Sequence, residues 1–325
     1  MEEVIRRSPE QFVAGMKAAE RVSLPSGPLT HVLIAGMGGS WMGGQLIADA
    51  GLVTVPVLVH RNYDLPSLPS SRTLVIASSF SGNTEETLSA YAAARAAGFP
   101  LIGVAAGGEL ERRCAADGAT FLKIPADPPS MQPRSATGYS VGIFAQIFTR
   151  LELATPGAVE ALTALPVYLS SIMESARRRG GELALPLASM TPIVYGSAAF
   201  GTVAQIWKIK INENAKTPAF TNVFPELNHN EMIGWTNPHG TFHALFLLEP
   251  DAHPRLRKRI ESTAELLRPH GVSGTLVPIE GRTRLEQIFG TLLVGDWLSY
   301  ALALALGVDP SPVQMVEDLK KRLKE

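Results

Sequence analysis

Short apolar runs and longer stretches of helical periodicity alternate along the first half of the chain. Each run is five or six residues long, rich in valine, isoleucine, leucine and alanine, and bounded by glycine, proline or polar residues. Such runs are typical of strands that are buried on both faces of a sheet. The predicted strands are 31–35, 55–60, 73–77, 101–105 and 120–124. Because predicted helices separate them, the pattern predicts a doubly wound α/β fold with a mainly parallel sheet flanked by helices.

A second cycle of the same kind follows a connecting helical region. Its predicted elements are a strand at 191–195, a helix at 202–214, strands at 241–248 and 274–278, and helices at 281–307 and 309–325. The segment 192–201 is weakly similar to 31–40, with the same order of strand, glycine and small-residue turn. This repeat suggests two related α/β domains in tandem. We therefore expect an N-terminal domain over 1–153 and a C-terminal domain over 154–325 with a closing helix.

Composition narrows the class of protein. The 325 residues are 46% hydrophobic and 18% charged, which allows a sizeable core, and the net charge of −1 provides no basic field for nucleic acid or a membrane surface. Cys114 is the only cysteine, so a disulfide within the chain is impossible and a cysteine metal site is not expected. The first 20 residues do not resemble a signal peptide. Asp296 interrupts the most apolar stretch, 288–306, so this stretch is predicted to be a buried core or interface helix and not a membrane span. We expect a soluble, cytoplasmic protein.

The loop after the predicted strand 73–77 is rich in hydroxyl groups. Ser78, Ser79, Ser81 and Thr84 surround Gly82, directly before a predicted helix. Free backbone N–H groups and the positive end of the helix dipole meet at such a junction and favour an anion. The loop has no lysine and no Gly-Lys-Ser/Thr, so it is not an ATP-type P-loop. We expect it to bind a phosphomonoester such as a sugar phosphate; the alternative is that Ser81 and Thr84 only cap the helix.

The glycine-rich turn at 36–44 invites a dinucleotide-binding interpretation. After Gly36 and Gly38, however, the third position of the G-x-G-x-x-G fingerprint is Trp41. This departure argues against NAD, although the glycines still let a ligand approach the backbone closely. Both this turn and the hydroxyl loop follow predicted strands, and the carboxyl ends of parallel strands meet at one edge of a sheet. One ligand could therefore touch both loops.

Three further polar residues are candidates for proton transfer or charge stabilisation. Arg134 ends a proline-stiffened loop, which would aim one guanidinium at an oxyanion; the alternative is an ordinary surface arginine. Glu213 lies between two asparagines at a predicted helix end, and His229 lies in a dense polar segment. A carboxylate and an imidazole are the usual groups for general acid–base catalysis. The chain has no H-E-x-x-H and no clear three-ligand spacing, so no metal site is predicted.

These residues fall into blocks that resemble the sugar isomerase (SIS) domain proteins, and specifically the bifunctional phosphoglucose/phosphomannose isomerases. The blocks are Gly36-Met37-Gly38-Gly39-Ser40, the segment 78–87, Pro133-Arg134-Ser135, Asn212-Glu213-Asn214 and Leu227-Asn228-His229-Asn230-Glu231. They occur in the family's order and span most of the chain. The hydroxyl loop alone indicates only a SIS domain, whereas the block from Asn212 to Trp235 is more specific.

The resemblance implies two SIS domains in a homodimer with the active site at the subunit interface. It implies interconversion of glucose 6-phosphate, and also mannose 6-phosphate, with fructose 6-phosphate, without metal or organic cofactor. It assigns Ser79, Ser81 and Thr84 to the phosphate, and Gly38, Gly39 and Ser40 to the sugar. It also implies that Glu213 is the base, that Arg134 stabilises the enediolate, and that His229 of the other subunit assists ring opening. A C-terminal lysine belongs to the site, matched best by Lys320, with Lys321 adjacent.

Three alternatives remain open at this stage. The first is a SIS-domain sensor of sugar phosphates without catalysis, although only about 30 residues precede the first strand and they are not basic enough for a DNA-binding module. The second is an isomerase of a related sugar phosphate. The third is an NAD-dependent oxidoreductase, which the interrupted glycine fingerprint disfavours.

Overall fold

The computed structural model describes residues 1–323 and divides into two compact units. The N-terminal unit is Arg6–Ser170, and the C-terminal unit combines Met1–Ile5 with the chain from Ser171 onward. The division lies after residues 153 and 154, between which the domain boundary was expected. That boundary stays a prediction. The last two residues of the predicted C-terminal helix lie outside the described residues.

The N-terminal unit is built on a five-stranded parallel sheet with the order β2-β1-β3-β4-β5. Its strands are β1 (His31–Ala35), β2 (Val57–His60), β3 (Thr73–Ser78), β4 (Leu101–Ala105) and β5 (Thr120–Lys123). The helices in this half of the chain are α1 (Glu2–Arg6), α2 (Glu10–Ala18), α3 (Met42–Asp49), α4 (Glu85–Ala96), α5 (Glu109–Asp117), α6 (Thr137–Arg150) and α7 (Ala158–Ser171). The predicted parallel α/β architecture is confirmed.

The continuous apolar runs predicted burial, and the central strands of this sheet are buried along their whole length. Every residue of β3 and β4 is buried. On one face Val75 packs in a cluster with Tyr91 of α4 and Leu110 of α5. The order of the strands reverses between β1 and β3, so the loops that follow these two strands lie at the switch point, where doubly wound sheets bind ligands.

The C-terminal unit repeats this plan with a four-stranded parallel sheet in the order β7-β6-β8-β9. Its strands are β6 (Thr191–Ser197), β7 (Phe220–Phe224), β8 (Phe242–Leu248) and β9 (Ser273–Pro278). Its helices are α8 (Met173–Ala184), α9 (Gly201–Ala215), α10 (Glu231–Gly234), α11 (Pro254–Leu267), α12 (Arg284–Ala305) and α13 (Gln314–Arg322). The order matches β2-β1-β3-β4, as the weak internal similarity suggested.

β7 is the strand that the sequence analysis missed. Its sequence, Phe-Thr-Asn-Val-Phe, is short and only partly apolar, and it follows a polar helix end. In the sheet it is an edge strand that pairs with β6, and only Phe224 is buried. Edge pairing depends on a partner distant in sequence, which local periodicity does not reveal.

α12 is the apolar stretch predicted to be a buried helix. The helix is long and apolar enough to cross a membrane, yet 72% of its most apolar 18-residue window is buried inside the protein. It packs closely on α8 and α9: a Cβ at Gly180 would lie 2.6 Å from Trp297, and one at Gly295 would lie 2.3 Å from the Trp207 indole nitrogen. The helix is therefore a core element of this unit.

Candidate active site

The hydroxyl loop, residues 78–84, joins β3 to α4, and its own side chains hold it in shape. The Oγ of Ser79 lies 2.8 Å from the Oγ1 of Thr84. The Oγ of Ser81 accepts a hydrogen bond of 3.2 Å from the backbone N–H of Asn83. The predicted hydroxyl cluster is therefore a defined turn between strand and helix.

Thr84 occupies the N-cap position of α4, where capping was the alternative to phosphate binding. Within residues 1–323, its side chain accepts no capping hydrogen bond from α4. Its hydroxyl instead pairs with that of Ser79, which is buried. The capping interpretation is therefore wrong for Thr84, and the first N–H groups of α4 are not taken up by this side chain. That arrangement suits an anion.

Asn83 supports the loop from a position to which the sequence analysis gave no role. Its Nδ2 donates to the carbonyl of Ser81 at 3.0 Å, and its Oδ1 accepts from the N–H of Glu109 at 3.0 Å. Gly82 has φ of 70°, and a Cβ there would lie 1.8 Å from the carbonyl oxygen of Gly107. The loop is thus packed against the start of α5. The only sequence signal was the position of Asn83 directly after this glycine.

The glycine turn after β1 is hydrogen-bonded to the hydroxyl loop. The Oγ of Ser40 accepts from the N–H of Phe80 at 3.0 Å, and the Oγ of Ser78 donates to the carbonyl of Ser40 at 2.9 Å. A Cβ at Gly36 would lie 2.7 Å from the carbonyl oxygen of Ser78. The two loops that follow β1 and β3 therefore form one surface, as their predicted positions suggested.

Arg134 lies beside the same turn and is buried, with 1% of its surface exposed. It is not the ordinary surface arginine of the alternative interpretation. It is part of the 3-10 turn Pro133–Ser135. A Cβ at Gly39 would come within 2.7 Å of the Pro133 carbonyl, and Gly38 has φ of 55°. The N-terminal unit therefore brings together the glycine turn, the hydroxyl loop and Arg134.

Glu213 lies on the last turn of α9, in the C-terminal unit, and is half-buried. Two contacts to α12 hold this helix end: Lys210 pairs with Asp296, and the Nδ2 of Asn214 donates to the Oγ of Ser299 at 2.9 Å. The helix ends at Ala215, and the C-cap residue Lys216 has φ of 56°. The predicted position of Glu213 at a fixed helix end is confirmed, whereas its role as a base stays a prediction.

His229 is the last residue of the 3-10 turn Glu226–His229, directly before α10. Its side chain is exposed, whereas Leu227 of the same turn is buried. The Nδ2 of Asn228 donates to the Oγ1 of Thr263 on α11 at 2.9 Å. The segment is therefore anchored to the C-terminal unit while its imidazole faces outward.

Lys320 and Lys321 both lie on α13, a helix with no buried residue. Lys320 pairs with Glu317 at 2.7 Å and Lys321 with Asp318 at 3.7 Å, and all four side chains are more than half exposed. The two lysines have equivalent surroundings in this unit, so the assignment to Lys320 stays a prediction.

Within residues 1–323, no group of three or more His, Cys, Asp or Glu side chains is placed to hold a metal ion. Burial raises the pKa of the Cys114 thiol, so this cysteine is a core residue rather than a nucleophile.

Two parallel sheets with a hydroxyl loop at a switch point are the arrangement of the sugar isomerase domains, and comparison with known proteins agrees. Residues 177–323 match the family model for the bacterial phospho-glucose isomerase C-terminal SIS domain. The C-terminal domain of glucosamine-fructose-6-phosphate aminotransferase from Francisella tularensis has the same fold, with a TM-score of 0.70 at 12% identity over 95% of this chain and 97% of that one.

Two curated relatives narrow the class to a family. A bifunctional phosphoglucose/phosphomannose isomerase of Caldicellulosiruptor bescii is 36% identical over 100% of this chain and 99% of its own length. A protein of the same name from Thermoplasma acidophilum is 33% identical over 93% of this chain and 92% of its own length. The chain belongs to the family of bifunctional phosphoglucose/phosphomannose isomerases, and the protein is an isomerase. The resemblance inferred from the sequence blocks is confirmed.

Proposed function

We propose that this isomerase interconverts glucose 6-phosphate, and also mannose 6-phosphate, with fructose 6-phosphate. Family membership supports the reaction, and the hydroxyl loop supports the phosphate group. The observation that carries most weight is the Thr84 hydroxyl, which pairs with Ser79 instead of capping α4. A helix N-terminus with hydroxyls and uncapped N–H groups is suited to a phosphomonoester.

We assign the binding of the phosphate and of the sugar to residues of the N-terminal unit. Ser79, Ser81 and Thr84 hold the phosphate, whose binding energy orients the open-chain sugar. Gly38, Gly39 and Ser40 line the sugar, because the glycines allow close approach to the backbone.

Proton transfer falls to Glu213. Its carboxylate removes the proton from C2 of the aldose, leaving an enediolate, and returns that proton to C1 to form the ketose. Arg134 stabilises the negative charge on the enediolate oxygens. His229 transfers a proton during ring opening, and Lys320 supplies further positive charge. No metal or organic cofactor is required for these steps.

The proposed assembly is a homodimer in which His229 reaches the active site of the partner copy. This assembly is supported by the exposure of His229 and of several apolar side chains in the C-terminal unit. Ile233, on the short helix that follows His229, is 74% exposed, and Met315 and Leu319 on α13 are 86% and 56% exposed. We also propose a cytoplasmic location, consistent with a single buried cysteine.

The experiment is a coupled assay of fructose 6-phosphate formation from each aldose phosphate, with EDTA present. Turnover of both substrates is expected. Turnover of glucose 6-phosphate alone would limit the activity to phosphoglucose isomerisation. Turnover of neither by the folded protein would overturn the proposal and favour an isomerase of a related sugar phosphate.

A further inference from the structure

A hydrogen-bonded network in the C-terminal unit connects the His229 segment, residues 226–235, to the strands β6 and β7. The hydroxyl of Tyr195, on β6, donates to Oε1 of Glu231. The Nδ2 of Asn222, on β7, donates to Oε2 of Glu231 at 2.5 Å. The indole N–H of Trp235 donates to the Tyr195 hydroxyl at 3.0 Å. Both carboxylate oxygens of Glu231 are therefore held by donors from the sheet.

Packing in the core holds the side chain of Tyr195 in place. Its ring is fully buried and packs on Phe224 and Phe246, with ring centroids 6.1 Å and 5.6 Å away. Burial, followed by the hydrogen bond to Glu231, raises the pKa of Tyr195 well above its ordinary value, so the hydroxyl stays protonated as a donor. A side chain locked in the core thus presents one hydroxyl to the segment that carries His229.

His229 lies between two anchored positions. On one side, Asn228 donates to Thr263 of α11 at 2.9 Å. On the other, the side chain of Asn230 accepts from the N–H of Glu231 at 2.6 Å and donates to Glu226 at 2.8 Å. Because α10 is a single turn, it has little stability of its own. The attachment of Glu231 to β6 and β7 therefore helps to hold this turn, and the imidazole before it, in place.

We propose that Tyr195, Glu231 and Asn222 are positioning residues that set the location of the His229 imidazole for ring opening. This inference rests on the proposed function of His229. Its physical reason is that an exposed side chain on a short turn has no packing of its own to fix it, and misplacement by about 1 Å costs on the order of a hundredfold in rate.

The kinetic test uses Tyr195→Phe, which keeps the buried ring and removes the hydroxyl. We expect kcat to fall about tenfold, the equivalent of one hydrogen bond to a charged group, with KM for the sugar phosphate unchanged. Tyr91→Phe is the matched control, because it removes a buried tyrosine hydroxyl that donates to Asp117 at 2.9 Å in the N-terminal unit. An unchanged kcat in Tyr195→Phe would overturn the proposal.

A double-mutant cycle separates positioning from general damage. Tyr195→Phe should have no further effect on kcat in the background His229→Ala, because the group that it positions is absent. Equal losses in both backgrounds would mean that Tyr195 acts independently of His229, and the proposal would be wrong.

A donor–acceptor exchange supplies a rescue. In Glu231→Gln, a side-chain amide faces the amide of Asn222, whose own Oδ1 already accepts from the N–H of Val223 at 2.8 Å. Adding Asn222→Asp restores the pair with donor and acceptor exchanged, and at least half of the lost kcat should return. Failure of this rescue would indicate that the charge of Glu231 matters in itself, against a positioning role.

Amide hydrogen exchange tests whether the network holds residues 226–235, and it needs no measurement of activity. In Tyr195→Phe, exchange over 226–235 should rise about tenfold, while exchange in β8 stays constant. Unchanged exchange in this segment would overturn the anchoring. A wild-type protein that turns over no sugar phosphate would overturn the proposed function and the catalytic part of this inference, whereas exchange would still decide whether the network holds the segment.

Discussion

At the scale of single residues, the hydrogen bond of the Thr84 hydroxyl bears on what the hydroxyl loop can bind. Thr84 stands where threonine ordinarily caps a helix, but its Oγ1 lies 2.8 Å from Ser79. The loop therefore combines a defined pair of hydroxyls with N–H groups at the start of α4 that the Thr84 side chain does not cap. This combination at a helix N-terminus favours the binding of an anion.

Replacing Thr84 by valine tests whether its hydroxyl binds the phosphate, because valine keeps the shape of the side chain and removes the hydroxyl. We expect KM for the sugar phosphate to rise about tenfold or more, the effect of one hydrogen bond to a charged group, with a smaller effect on kcat. Thr163→Val is the control, since the Thr163 hydroxyl donates to a carbonyl within α7. A KM equal to that of the control, measured by the coupled assay, would remove Thr84 from the phosphate site.

Glu213→Gln tests whether the Glu213 carboxylate is the base that removes the proton from carbon. The amide cannot accept the proton from carbon, so kcat should fall about 10³-fold while the fold and the KM are retained. Glu265→Gln, on the exposed face of α11, serves as the control for loss of one carboxylate. Near-normal turnover in Glu213→Gln would show that another group moves the proton.

At the scale of elements, α9 carries Glu213 and is joined to α12 by the pair of Lys210 and Asp296. The two side chains are 5% and 18% exposed, so the pair is largely shielded from water. Lys210→Met takes the cation away from a mostly buried carboxylate and should lower the free energy of unfolding by about 3 kcal/mol. Lys123→Met, which removes an exposed pair with Glu111, should cost less than about 1 kcal/mol. Urea unfolding measures both, and equal losses would contradict the importance of burial.

We expect His243 to make the pairing of β8 with β9 sensitive to pH. Its Nδ1 lies 2.7 Å from the Ser273 hydroxyl and its Nε2 2.9 Å from the Thr275 hydroxyl, and burial lowers its pKa from the ordinary 6.5. The unfolded chain then binds a proton more readily than the folded protein. The stability associated with neutral His243 is complete above pH 6.5 and is lost as the pH falls toward the folded pKa.

The corresponding measurement is the free energy of unfolding as a function of pH. Wild-type protein should lose more stability on acidification below pH 6.5 than His243→Gln does. His270→Gln, at an exposed position, should follow the wild-type profile. Identical slopes for wild type and His243→Gln would contradict the prediction.

At the scale of the whole molecule, the proposed homodimer makes a prediction about mixed subunits. If each active site takes His229 from the partner copy, Glu213→Gln and His229→Ala chains complement each other, because one of the two sites in a heterodimer is intact. Refolding an equal mixture should restore about a quarter of the wild-type activity. Sedimentation should show twice the mass of one chain. No recovery from a mixture that forms dimers would place His229 in the site of its own chain.

Local periodicity determined the architecture of each unit. Runs such as 73–77 and 101–105 are buried on both faces, which is why their apolar pattern is continuous and readable without neighbours. The hydroxyl loop and Glu213 at its helix end were also readable, since both depend on a strand or helix boundary. The apolar stretch 288–306 could be predicted to be a core or interface helix, because it has Asp296 near its middle and a carboxylate is costly inside a bilayer.

Tertiary structure decided what depends on partners distant in sequence. β7 is a strand because β6 pairs with it. The burial of Arg134 and the contact of the Thr84 hydroxyl with Ser79 likewise arise only in the folded protein. In the sequence Glu231 is one charge among several in a polar segment, whereas in the folded protein Tyr195 and Asn222 donate to its two carboxylate oxygens. Periodicity records which face of an element is buried, whereas the choice of a hydrogen-bond partner across the sheet is settled only when the chain has folded.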